Sequence, residues 1–103
     1  MISIIEEQRS NYRIINETGS STYIPCGTDW TLLGWDSRRF CVQFGNGQIG
    51  IFSESGSRLA TTYLTPATNQ IRNWVNGWLY FRDTQLGINY RLDIEAGTRI
   101  NMG

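Results

Sequence analysis

Apolar and polar residues change over in short runs along this chain, and clusters of Gly, Pro, Asn, Asp or Ser interrupt them at regular intervals. Alternation with a period of two between such clusters is the mark of a β-strand. The pattern predicts eleven strands: Ile2 to Glu6, Tyr12 to Ile15, Ser21 to Ile24, Trp30 to Trp35, Arg39 to Phe44, Gln48 to Phe52, Arg58 to Leu64, Ile71 to Val75, Trp78 to Arg82, Ile88 to Ile94 and Arg99 to Ile100. Gly45-Asn46-Gly47 and Asn76-Gly77 each join two such runs and predict hairpins, the second a tight turn with two positive φ angles. Thr65-Pro66-Ala67-Thr68-Asn69 is the clearest loop. No segment has helical periodicity, so the expectation is an all-β protein built as an antiparallel meander.

Three segments share a finer pattern. In Tyr12 to Ser20, Ile49 to Ser57 and Tyr90 to Thr98, a large apolar residue stands seven places before a glycine, Ile or Leu five before, Glu two before, and Ser or Thr one after. The glycines Gly19, Gly56 and Gly97 lie 37 and 41 residues apart. Each copy reads as a strand running into a hairpin turn whose glycine takes a positive φ. A period near 40 residues is the size of a four-stranded propeller blade. It divides the single domain of residues 1–103 into units of roughly 1–22, 23–63 and 64–103.

Phe40-Cys41-Val42 and Trp78-Leu79-Tyr80-Phe81 carry apolar side chains on both faces of their strands, which predicts that both faces are covered. Trp74-Val75-Asn76-Gly77-Trp78-Leu79-Tyr80-Phe81, followed by Tyr90-Arg91-Leu92-Asp93 and a glycine turn, resembles the blade repeat of β-propellers of the low-density-lipoprotein-receptor type and their bacterial relatives. The resemblance is good over residues 71–101, loose over 35–59 and poor over 1–22. The middle copy lacks the Tyr-Arg pair. It implies about two and a half blades of four strands, fewer than a closed ring needs. Copies of the chain would then close the ring, or the strands would roll into a small β-barrel or sandwich.

Composition narrows the chemistry. Nine cationic residues, all Arg, balance nine acidic ones, so no net field steers the chain towards nucleic acid or an anionic membrane. With no His and no Lys, the commonest general base, the commonest metal ligand and Schiff-base chemistry are absent. Two cysteines without His make no ordinary zinc site, and no cofactor is expected. Glu17, Glu54 and Glu95 recur at every turn, which points to a turn role over a catalytic one. The stretch Met1 to Glu7 has neither a basic region nor a long apolar core, so it does not read as a signal peptide, and a cytoplasmic location is expected.

What remains is binding, without catalysis. Trp30, Trp35, Trp74 and Trp78 stand beside turns, and with Asp36 and Asn76 they are candidates for a rim that holds a protein or a sugar ring. Arg38 and Arg39 are candidates for interaction. The leading expectation is a module for protein–protein contact or homo-oligomer assembly; a lectin-like module is the alternative, and nucleic-acid binding through Arg comes third.

Overall fold

The computed structural model describes residues 1–103 and contains eleven strands and no helix. They are β1 (Ile2–Glu7), β2 (Asn11–Asn16), β3 (Ser21–Pro25), β4 (Thr31–Trp35), β5 (Arg39–Gln43), β6 (Gln48–Ser53), β7 (Arg58–Tyr63), β8 (Asn69–Val75), β9 (Trp78–Asp83), β10 (Ile88–Asp93) and β11 (Thr98–Asn101). They form three antiparallel meanders: β1-β2-β3, β4-β5-β6-β7 and β8-β9-β10-β11. The all-β, antiparallel expectation therefore holds, and no helix is long and apolar enough to cross a membrane.

The loop after β7 lies between the second and third sheets, and β3 belongs to the first. β3 pairs with β2 in the register Tyr12↔Ile24 and Ile14↔Thr22, so the first sheet runs on to Pro25 and does not end at residue 22. Local hairpin pairing across the Gly19 turn decides this, and the Cys26 amide then donates to the Ser10 carbonyl at 3.0 Å to hold the end of the strand.

The recurring glycines do close equivalent hairpins, at φ +87°, +89° and +73° for Gly19, Gly56 and Gly97. A second device recurs with them: a polar side chain just before the turn accepts a backbone N–H from beyond it. Asn16 Oδ1 accepts from Thr18 and Ser20, Ser53 Oγ from Ser57, and Asp93 Oδ1 from Ala96, at 3.0 to 3.1 Å. Overlaying the turns makes β1, β5 and β9 equivalent, and likewise β2, β6 and β10. Ile5, Cys41 and Leu79 then occupy one position, since they face Ile14, Ile51 and Leu92 across their ladders.

The second sheet is the middle layer. Phe40, Val42 and Phe52 on one of its faces pack with Ile2, Ile5, Tyr12, Ile14 and Ile24 of the first sheet. Cys41, Ile49 and Ile51 on the other face pack with Trp74, Leu79, Phe81, Tyr90, Leu92 and Ile94 of the third. Each sheet buries the face that carries the repeat's Tyr12/Ile49/Tyr90 and Ile14/Ile51/Leu92 positions. The middle sheet buries its opposite face as well, which bears out the double-sided reading of Phe40-Cys41-Val42. Strand β4 approaches β8 so closely that a Cβ on Gly34 would lie 2.0 Å from the Trp74 carbonyl oxygen; only glycine fits that contact.

Candidate functional site

The sequence-predicted residues do not gather into one rim. Trp74 is a core residue, 2% exposed, because its ladder partner Leu79 fixes it on the face that meets the middle sheet. Trp35 is 39% exposed and its ladder partner is Phe40. Asn76 and Gly77 take φ of +53° and +84°, the expected hairpin turn, and Asn76 is needed for that turn. Asp36 caps the β4–β5 turn, with Oδ1 accepting from the backbone N–H of Arg38 and Arg39 at 2.8 and 2.7 Å. Burial alone would raise its pKa; those two N–H groups and the Arg39 guanidinium together hold it below the ordinary carboxylate range.

Arg39 is equally committed. Its guanidinium bonds Asp36 at 3.0 Å, forms an ion pair with Glu95, and lies over the Trp74 ring at 5.2 Å. It ties the second sheet to the third, which leaves only Arg38 of the expected pair free at the surface. The recurrent glutamates do not hold their own turns: Glu17 and Glu54 both contact the Met1 ammonium, at 2.9 and 3.1 Å, and Glu95 pairs with Arg39, while Asn16, Ser53 and Asp93 accept the turn N–H groups. Cys26 and Cys41 are free thiols, and no group of three His, Cys, Asp or Glu side chains is placed to hold a metal.

Two surfaces remain. The first is the outer face of the third sheet, where cross-strand register lines up Asn73, Tyr80, Arg91 and Ile100, with Val75 and Trp78 beside them. Trp78 and Tyr80 are half-buried and nothing in the chain covers this face, contrary to the expectation that both sides of Trp78 to Phe81 are covered. The Arg91 guanidinium stacks on Trp78 at 4.4 Å, a cation–π contact. Its Nε is shut off from solvent and has no hydrogen-bond partner. Arg72 and Arg82 make the surroundings basic. The sequence names Trp78 but misses Tyr80 and Arg91 as its neighbours, although their pairing follows once the Asn76-Gly77 turn fixes the register.

The second surface is a cleft of about 300 Å³ lined by Asp29, Trp30, Phe44, Gly45, Asn46, Gln48 and Arg58. It lies where the β3–β4 loop, the β5–β6 hairpin and the start of β7 meet. Trp30 packs edge-on to Phe44 with ring centroids 4.7 Å apart, and Arg58 lies over Phe44 and Phe52 at 5.5 and 5.6 Å. Of the four tryptophans, this is the one that the structure sets in a polar hollow.

Searches of family models, curated proteins and solved structures find no match to this chain.

Proposed function

We propose that the chain is a non-catalytic binding module that works by protein–protein contact, foremost with further copies of itself. One observation carries this reading: the outer face of the third sheet holds Trp78, Tyr80 and an Arg91 whose Nε is desolvated and unpaired, with no layer over them. In the middle sheet the equivalent positions are Phe40, Val42 and Gly50, and another sheet covers them. A second copy supplies the same kind of cover. Two such basic faces would repel each other, so the matching surface is the outer face of the first sheet, which offers Ile4 and Tyr23, 48% and 55% exposed, beside Glu6. Aromatic and Arg anchors in a covered patch are what protein interfaces use.

A contact of this kind is head-to-tail and extends the stack or closes it into a ring. The resemblance of the repeat to propeller blades supports the ring form. Light scattering over a range of concentrations tests the reading: mass above that of one chain is expected, and a monomer throughout would sink it. Trp78→Ala and Ile4→Glu should each be monomeric alone and should form a one-to-one pair when mixed, because each retains the face the other lacks. No recovery on mixing would overturn the head-to-tail arrangement.

A further inference from the structure

The β3–β4 loop and the β5–β6 hairpin meet at the cleft beside Trp30, and its polar groups are idle in a structure whose other aspartates are all spent on turns. Asp36, Asp83 and Asp93 each cap a turn through Oδ1, whereas no hydrogen bond or ion pair within the chain engages the Asp29 carboxylate, the Gln48 amide or the Arg58 guanidinium. Asn46, in the cleft lining, uses its Oδ1 to accept from the Gln48 backbone N–H at 3.0 Å, which leaves its amide N–H groups without a partner in the chain. The Asp29 carboxylate sits in a socket of two glycines. A Cβ on Gly45 would lie 2.2 Å from Asp29 Oδ2, and one on Gly27 2.8 Å from Oδ1. Any larger residue at position 45 would displace the carboxylate.

We propose that this cleft binds a neutral saccharide. One carboxylate and one guanidinium cancel, so the hollow attracts neither anions nor cations strongly. A carboxylate that accepts from two hydroxyls, amides that donate and accept, and a guanidinium that donates suit the adjacent hydroxyls of a sugar ring. The Trp30 and Phe44 rings supply the apolar wall that the ring's C–H face needs. The volume is at the small end for ligand clefts, which fits one sugar unit. The site is open, so its ligand keeps part of its hydration and binding is weak.

The test is a titration of the isotope-labelled protein with the methyl glycosides of glucose, galactose and mannose and with N-acetylglucosamine, followed by nuclear magnetic resonance at millimolar concentrations. Expected are shifts of the Trp30 indole N–H and of the Asn46 and Gln48 side-chain amides, while the Trp78 indole signal stays in place. Asp29→Asn, a change at an exposed side chain, should keep the amide spectrum of the fold and weaken binding at least about tenfold. Gly45→Ala should do the same by moving the carboxylate. The proposal is overturned if none of the four sugars moves the Trp30 indole, if Asp29→Asn binds like the parent, or if acetate or phosphate moves the same signals more strongly. The cleft lies on the second sheet and not on the outer face of the third, so this outcome and the mass measurement stand independently.

Discussion

The two uncovered sheet faces at the ends of the stack carry an arginine at the same place in the repeat, and the two arginines are held in opposite ways. Arg13 on the first sheet bonds Glu6 at 2.9 Å and Ser21 Oγ at 3.1 Å, so its charge is paired within the chain. Arg91 on the third sheet has Tyr80 where Arg13 has Glu6, and lies on Trp78 with its Nε unpartnered. An orphaned buried donor costs free energy, and a partner that supplies an acceptor there recovers it. The middle sheet, with Gly50 at this place, shows the third solution: a face covered by another sheet has no room for the arginine at all.

The strongest way to break this comparison is Gly50→Arg. A Cβ there already meets the Phe52 and Phe44 rings at 3.1 and 3.3 Å, and a guanidinium would have to be buried between two sheets. Urea unfolding should show a loss of more than about 3 kcal/mol or no folded state.

Two groups on covered faces, Tyr12 and Cys41, should also make stability fall in alkali. Burial first, with the charges of Cys26 and Glu7 adding, pushes the Tyr12 hydroxyl from 10.0 to about 12. Burial pushes the Cys41 thiol from 9.0 to about 12. The folded state holds both protons more tightly than the unfolded chain, so this stability is whole below pH 9 and is lost as pH rises to about 12. At ~1.4 kcal/mol per pKa unit, Tyr12 alone accounts for about 3 kcal/mol. Unfolding followed across that range checks it, and Tyr12→Phe should remove the part of the slope above pH 10.

Tyr80→Glu gives the third sheet the carboxylate that the first sheet has beside its arginine. Self-association should weaken at least about tenfold by sedimentation, a change of ~1.4 kcal/mol, with the fold intact. The smallest effect on stability belongs to the paired arginine: Arg13→Ala breaks an exposed ion pair and should cost about 0.5 kcal/mol in urea unfolding.

Much of the fold is legible in the sequence because its determinants are local. The strands follow from alternation, and the hairpins follow from Asn76-Gly77, Gly45-Asn46-Gly47 and the three spaced glycines. Phe40-Cys41-Val42 reveals a double-covered strand because both of its faces are strictly apolar. What stays hidden depends on residues far apart in the chain. Trp74 and Trp78 are alike in type and both flank the same turn, yet one lies in the core and the other on the outer face; only the register against Leu79 and Val75 separates them. The socket for Asp29 is formed by Gly45, sixteen residues on, and no pattern around either residue announces it. Asp36 and Asn76 look like ligands for the same reason that they serve as turn residues: a short polar side chain beside a bend.

All eight strand pairings join strands that are neighbours along the chain, and the sheets meet one another mainly through side chains. A topology of this kind has low contact order for an all-β protein, so each meander can form from its own hairpins before the layers dock, and folding should be fast for the class. The total stability then resembles that of a linear repeat array, a sum of sheet terms and nearest-layer terms. Layers could be duplicated or removed at the loop between β7 and β8 without rewiring a single backbone ladder, which makes sheet number an adjustable quantity in this architecture.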